Sequence, residues 1–471
     1  MANDNFFWSR FSHVIEKEEG NLFSAINTLR LRPVYFGSEF FPIIPLIQSG
    51  EIKCGDDLKK FNFVGKVFDD FISLLLDASI LLREGKSDDA ILNHFRDGFV
   101  NRNNMSILYL LLTDKCNLGC KYCFIEPKSD LRLFNKGLFM DNDIVTRSID
   151  VFARIKNPDF NSTIILYGGE PLLNLEAIKK AALYCKELKS RGVLSANTNV
   201  SVITNGTIMP DEFIELASTG DISVCMSIDG PRDVHDANRK FLNGGGTFDI
   251  AYSNFSKLRK RNIPVNISLT ITEEVLNNQD EVIKWLCEDV NSSCTVNIIR
   301  ETEYYKPKED YFERANDFMI NVFERMKEFG LTEDRIMRKV RALRNGYPHI
   351  ADCAAQGAGQ MVVAPDGNIG VCHGYLFSRE HFFGDVWDSS EEISKKLRMS
   401  DWLRRIALNM DECLDCFALG VCGGGCPHQA ELKDGSIWSI DRPFCVHSKK
   451  AFKWLIWKVL EVGYPDGEFE K

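Results

Sequence analysis

At 471 residues, 44% hydrophobic and 26% charged, the chain has an ordinary globular composition and enough length for two or three domains with a substantial core. Its formal net charge of −10 comes with no basic run that would neutralise a polyanion, which argues against nucleic acid as a partner. The opening MANDNFFWSRF lacks a basic region followed by an apolar one, and the most apolar segment, FDDFISLLLDASILL (68–82), is too short and too broken by Asp to span a bilayer; no membrane is expected and the protein is read as cytoplasmic.

The segment FSHVIEKEEGNLFSAI (11–26) predicts two short strands around a Glu-rich turn ending at Gly20, and the rest to about Val100 reads as largely amphipathic helix. Residues 1–104 are therefore expected to form a small separate α+β module. From residue 106 the chain alternates strand-like and helix-like stretches. SILYLLLTD (106–114), STIILYGGE (162–170), NVSVITNG (199–206), DISVCMSIDG (221–230), PVNISLTIT (264–272) and CTVNIIR (294–300) are apolar, largely β-branched runs, most of which close on Gly, Asp or Thr. Helical patterns lie between them, such as NLEAIKKAALYCKELKSRG (174–192), which opens on an Asn cap and closes on Gly, and TFDIAYSNFSKLRKRN (247–262). Repeated βα units predict an α/β fold with a parallel sheet, and six of them predict a partial (β/α)6, TIM-like barrel over 105–305. Ligands in such folds sit at the carboxyl ends of the strands, which is where a cysteine group and the stretches GGEP, TNG, SIDG and TIT fall. KEDYFERANDFMINVFERMKEFG (308–330) and TEDRIMRKVRALRNG (332–346) are amphipathic helices of a bridge over 306–350. A Cys-rich region with a terminal helix follows over 351–471.

Fifteen cysteines are many for a cytosolic chain, where disulfides rarely persist, so clustered Cys points to metal more than to bridges. Cys54, Cys185, Cys225, Cys287 and Cys294 are scattered in apolar contexts and read as buried small hydrophobes. Cys116, Cys120 and Cys123 form one group in TDKCNLGCKYCF (113–124), and Cys353, Cys372, Cys413, Cys416, Cys422, Cys426 and Cys445 crowd the last quarter. A cubane iron-sulfur cluster has four iron corners, each wanting a thiolate or an equivalent. Three protein thiolates leave one iron open, and an open position separates a reactive metal site from a closed structural one. QMVVAPDGNIGVCHG (360–374) predicts a hairpin whose PDGN turn places Cys372 on the return strand. Cys413 and Cys416 alone would read as half of a zinc ribbon.

The C-x3-C-x2-C spacing, with Tyr122 just before the third Cys and the loop following the first strand of the βα series, resembles the radical S-adenosylmethionine (SAM) superfamily. The resemblance implies that Cys116, Cys120 and Cys123 hold a [4Fe-4S] cluster. The amine and carboxylate of SAM would chelate its open iron, and one electron would cleave SAM to a 5'-deoxyadenosyl radical. GGEP (Gly168, Gly169, Glu170, Pro171) resembles the strand-two motif that receives the SAM amino group, with Glu170 as acceptor. Thr204 and Asn205 of TNG and Ser227, with Asp229, of SIDGP resemble the groups that hold the carboxylate and ribose. Arg239 of HDANR looks like the residue that pairs with the carboxylate, and the stretch Leu269 to Thr272 would flank the adenine.

The distal seven cysteines, with Cys413-x2-Cys416-x5-Cys422-x3-Cys426 at their centre, are similar to the SPASM domain, which binds two auxiliary clusters in a subset of radical SAM enzymes. By that resemblance Cys413, Cys416, Cys422 and Cys445 complete one [4Fe-4S] cluster while Cys353, Cys372 and Cys426 hold the other, three clusters in all. The last set counts three thiolates with no eighth Cys near Cys353, so an open or exchangeable fourth position is expected there, for a substrate thiolate or for His373. SPASM enzymes are mostly peptide and protein maturases. One branch abstracts hydrogen from a ribosomally made precursor peptide and installs a thioether or carbon-carbon crosslink, as the sactipeptide and ranthipeptide synthases do. The other, the anaerobic sulfatase maturases, makes formylglycine and carries an Asp base directly after the hairpin Cys, where this chain has His373. The N-terminal module offers a strand edge for a leader peptide, and the crosslinking branch is the expectation. Flavodoxin or ferredoxin would supply electrons. A protein of a different class, a catalytically silent iron-sulfur carrier or regulator, is the remaining alternative.

Overall fold

Short runs of period-two hydrophobicity pair wherever a turn brings two of them together. In the computed structural model, which describes residues 5–18, 20–125 and 137–463, β1 (Phe6–Trp8), β2 (Ser12–Glu16), β3 (Leu22–Asn27), β4 (Val34–Gly37) and β5 (Leu81–Arg83) make two small antiparallel sheets ordered β2-β3-β4 and β1-β5. Glu19 of the predicted turn, and the extreme ends of the first and last predicted segments, lie outside the described residues. The expectation of mostly helix beyond residue 26 misses β4 and β5. Both are too short to show a period, and Ser79 at φ +57° ends the helix Lys66–Asp77 just before β5. Phe36 of β4 meets Phe71 of that helix with ring centroids 5.2 Å apart, within an apolar core of the module's own.

The six predicted apolar runs all become strands: β6 (Ile107–Leu111), β7 (Thr163–Tyr167), β8 (Asn199–Thr204), β9 (Ser223–Ser227), β10 (Val265–Ile271) and β11 (Cys294–Ile298). They lie parallel in sequential order, as helical crossovers require. The helix Leu175–Ser190 begins on Asn174, whose Oδ1 accepts the Ala177 amide at 3.4 Å while its Nδ2 donates to the carbonyls of Leu112 and Met140, both at 2.9 Å. The predicted hairpin forms as β12 (Gln360–Val363) and β13 (Asn368–Gly370), followed by β14 (Phe382–Asp385). β12 pairs in parallel with β6, so one nine-stranded sheet runs β11-β10-β9-β8-β7-β6-β12-β13-β14. Cys372 falls two residues beyond the return strand rather than on it, and there caps a short turn at His373–Tyr375.

The two faces of this sheet differ. Leu108, Leu110, Ile164, Leu166, Val200, Val202, Val224, Met226, Ile267, Leu269 and Val296 are buried in the core beneath the crossover helices. The alternate residues, among them Tyr109, Tyr167, Cys225, Ser227, Ser268, Thr270 and Asn297, are only partly buried and more polar. Parallel sheets are ordinarily covered on both faces by apolar packing, so this more polar, partly open face is the one on which a ligand could be held.

The bridge helices span Tyr311–Glu328 and Asp334–Asn345, and the terminal helix Arg442–Val462 carries Cys445 in its first turn. No described helix is long and apolar enough to cross a membrane.

Candidate functional site

The three cysteines of the first group sit on the loop that leaves the carboxyl end of β6. Backbone holds this loop from two sides. The Gly119 amide donates to the Lys240 carbonyl at 2.9 Å, and Leu118 bridges Phe241. A Cβ on Gly169 would lie 2.0 Å from the Lys115 carbonyl, and one on Gly168 (φ +132°) 2.4 Å from that of Thr113, so only glycine fits at either position. In the structure, the space a side chain would fill is taken by the cysteine loop itself.

Burial raises the thiol pKa of Cys116, with Glu170, Cys120 and Cys123 adding to it, and burial raises Cys120 to about 12. The three thiols therefore share one environment and penalise one another's ionisation, the situation that a polycation removes. No disulfide forms among the described residues, and no three His, Cys, Asp or Glu side chains converge as they would around a single ion. A cluster presents a separate iron to each thiolate, and three free thiols on one loop are a donor set of that kind.

Glu170 is fully buried at the β7 end. Oε1 accepts the Thr204 hydroxyl at 2.7 Å and the Leu172 amide at 3.0 Å, and Oε2 accepts the Asn205 amide at 2.8 Å. Burial pushes its pKa up to about 7 against those three bonds. The Thr204 hydroxyl is thus a support for Glu170 rather than a free donor. Asn205 Nδ2 donates to Asn117 Oδ1 at 2.9 Å and lies 3.9 Å from Cys116 Sγ, tying the third strand end to the cysteine loop. Asp229 is fully buried and engaged: Tyr122 donates its hydroxyl to it, Arg239 Nε bonds it at 2.9 Å, and the Thr270 amide at 2.9 Å. The Arg239 guanidinium lies 5.4 Å from the Tyr122 ring centroid. Ser227 is opposite Ser268 on the partly open face. Leu269 is one residue out of phase with that face and points into the helix-covered core with no exposed surface, so period two turns its side chain away from the partly open face.

His373 is on the partly open face. Its ring stacks on Tyr109 at 4.6 Å, with Phe124 and Tyr167 edge-on at 5.2 and 5.4 Å. Nδ1 is buried with no hydrogen-bond partner. Burial, then Arg300, lower the ring's pKa to about 3. Phe124 follows Cys123 and His373 follows Cys372, so this aromatic enclosure lies between the first cysteine group and the distal ones.

The distal cysteines fall into two neighbourhoods. Cys353 and Cys372 each feel Cys426, and burial raises Cys353 to about 11. Cys413 feels Cys422, Cys416 and Cys445, and burial raises it to about 12. Sequence reasoning missed Arg300 at the end of β11, whose Nη1 lies 2.6 Å from Cys426 Sγ and whose guanidinium lies 5.8 Å from the Phe124 ring centroid. A lone Arg at a strand end carries no pattern that would have singled it out.

Residues 110–286 match the family model of the radical SAM superfamily. The cysteine-type anaerobic sulfatase-maturating enzyme of Clostridium perfringens (strain 13 / Type A) is 23% identical over 372 residues, covering 76% of this chain and 98% of its own. Among solved structures, anSMEcpe with bound AdoMet superposes with a TM-score of 0.64 at 20% identity, over 78% of this chain and 96% of its own. Streptococcus suis SuiB bound to precursor peptide SuiA superposes with a TM-score of 0.53 at 14% identity, over 93% of this chain and 99% of its own. At such identities the two structures speak for the fold, a mixed α/β architecture around a large parallel sheet. The chain therefore carries, over residues 110–286, a domain of the radical SAM superfamily.

Proposed function

We propose that the chain is a radical SAM peptide maturase that removes hydrogen from a ribosomally made precursor peptide and installs a thioether or carbon-carbon crosslink. Residues 105–305 serve as the partial barrel, 306–350 as the bridge and 351–471 as a SPASM domain with two auxiliary [4Fe-4S] clusters. The module over 1–104 grips the leader. Coverage carries the preference for peptide crosslinking: the sulfatase maturase spans 76% of this chain, whereas SuiB, whose structure holds a precursor peptide, spans 93%. The unmatched quarter is the size of the N-terminal module. His373, where the sulfatase branch carries Asp, supports the same choice.

Bound at Cys116, Cys120 and Cys123, a [4Fe-4S] cluster with SAM supplies a 5'-deoxyadenosyl radical. The chain's own residues bind and orient. Three of the roughly four acceptor sites on the Glu170 carboxylate are filled by protein donors, which fixes its plane and leaves acceptor capacity for the SAM amino group. Asp229 holds Arg239 and Tyr122 in place, and Arg239 faces the SAM carboxylate. Tyr109, Phe124 and Tyr167 exclude water from the space around His373, whose unpartnered and neutral Nδ1 would ligate the open auxiliary iron. An edge of the β2-β3-β4 sheet receives the leader as an added strand, with Val67 and Leu74, 57% and 53% exposed on the helix whose Phe71 packs against β4, as apolar contacts for its side chains. Flavodoxin or ferredoxin delivers the electron.

Anaerobic incubation of the reconstituted protein with SAM and dithionite should yield 5'-deoxyadenosine, and its absence from fully loaded protein overturns the reading. Co-expression with a short reading frame encoded nearby should give a peptide lighter by a pair of hydrogens. Conversion of a sulfatase-derived Cys peptide to its aldehyde would instead establish the formylglycine branch.

A further inference from the structure

Buried cations are ordinarily balanced by carboxylates, because an isolated charge in a low-dielectric interior is strongly unfavourable. Arg239 follows the rule with Asp229 at 2.9 Å, as does Arg335 with Asp352 at 3.0 Å. Lys339 and Arg405, 2% and 0% exposed, and the partly buried Arg300 do not, since no carboxylate oxygen among the described residues lies within ion-pair distance of any of them. All three are instead aimed at the distal cysteines. Arg300 Nη1 is 2.6 Å from Cys426 Sγ. Lys339 Nζ donates to the Val421 carbonyl at 3.1 Å and to the Ser448 hydroxyl at 3.2 Å. Val421 immediately precedes Cys422, and the Ser448 hydroxyl bonds the Cys422 sulfur. Arg405 donates to the Gly424 and Ser439 carbonyls, both at 3.0 Å, and to that of Ile437. Gly424 lies midway between Cys422 and Cys426. The first cysteine group has the opposite setting, with Arg239 neutralised by Asp229 and Glu170 buried beside Cys116.

Resting on the two-auxiliary-cluster reading above, we propose that Arg300, Lys339 and Arg405 are built-in counter-charges to the anionic clusters on the seven distal cysteines. They hold those clusters at higher reduction potentials than the one on Cys116, Cys120 and Cys123. Reduction adds a negative charge, and a fixed cation in the protein interior stabilises the reduced form more than the oxidised one. The positions divide the work. Arg300 acts on the Cys353, Cys372 and Cys426 site, Lys339 on the four-thiolate site through Cys422, and Arg405 on both through the loop between Cys422 and Cys426.

The test is an anaerobic redox titration of full-length reconstituted protein followed by electron paramagnetic resonance, run on a Cys116→Ala/Cys120→Ala/Cys123→Ala background that isolates the auxiliary signals. Arg300→Gln and Lys339→Met should each shift one auxiliary midpoint to lower potential, and a different one, while Arg300→Lys and Lys339→Arg leave the midpoints near that background's. In the otherwise native protein, the first cluster's midpoint should stay put in all four. If Lys339→Met loses its cluster while Lys339→Arg keeps it, the counter-charge role also stands. If both Lys339 variants lose it, Lys339 is a packing residue and its part of the proposal falls. Charge-removing variants that load fully and titrate unshifted overturn the proposal. Iron and sulfide analysis beforehand separates this from failure of the underlying reading: iron for a single cluster in the otherwise native protein removes the auxiliary clusters, and the counter-charges with them.

Discussion

No cation among the described residues pairs with buried Glu170, so its carboxylate depends on hydrogen bonds. The Thr204 hydroxyl is one of three that hold it. Thr204→Val keeps the shape and removes that donor, a loss of about 1 kcal/mol. SAM should then bind about fivefold more weakly in equilibrium dialysis, and an unchanged affinity would detach Glu170 from the cofactor. Burial places the Glu170 pKa at about 7, so the carboxyl is largely neutral in mild acid and ionised above neutrality. Affinity for SAM, whose amino group donates to Glu170, should rise as pH climbs through that value, and Glu170→Gln should flatten the profile. Residue-scale features were legible where chemistry sits in the local pattern, as with the three thiols or the GGEP strand end. Asp229 and Arg239 were legible as participants but not as partners of each other, because a contact that closes across the helix Arg232–Asn238 within one connection leaves no mark in the local pattern. Leu269 is instructive: alternation along SLTI was in the sequence, and applying it from Ser268 would have turned Leu269 toward the helices.

Glu333 caps the bridge helix Asp334–Asn345, accepting the Arg335 and Ile336 amides at 2.8 and 2.7 Å while fully buried. Burial raises its pKa from 4.5 to about 7 despite those bonds. The folded state thus binds this proton more tightly than the unfolded one. The stabilisation is complete below pH 4.5 and is lost as pH rises through about 7, a swing on the order of 3 kcal/mol. Denaturant titrations at pH 5 and pH 8 should show this loss in the native chain and a much smaller one in Glu333→Gln. At the other end of the chain, Val67→Asp with Leu74→Asp should weaken precursor binding at least tenfold, by fluorescence anisotropy of a labelled leader. Dithionite-driven SAM cleavage without peptide should be unchanged. The βα repeat, both bridge helices and the 360–374 hairpin were all readable, since each is long or carries a turn. The pairing of β12 with β6 was not, because nothing local tells a hairpin which distant strand edge it will join.

That pairing joins the strand that carries the first cysteine loop to the hairpin that leads to Cys372. β6 delivers the first cysteine loop at its carboxyl end, and β12, hydrogen-bonded along it from Gln360↔Ile107 to Val363↔Leu110, leads through β13 to Cys372 and His373. The four-thiolate group has no such link; it rests on short turns and on the terminal helix, which packs against Tyr311–Glu328. Loss of metal at the two distal sites should therefore have different reach. With about four irons per cubane, Cys353→Ala/Cys426→Ala and Cys413→Ala/Cys416→Ala should each shed about a third of the iron. Both should lower the melting temperature, by roughly 5 °C or more. Only the first should weaken SAM binding, because only its site is continuous with the strand that carries the SAM-facing loop. Equal effects of the two pairs on SAM affinity would show that the shared sheet does not transmit between the sites.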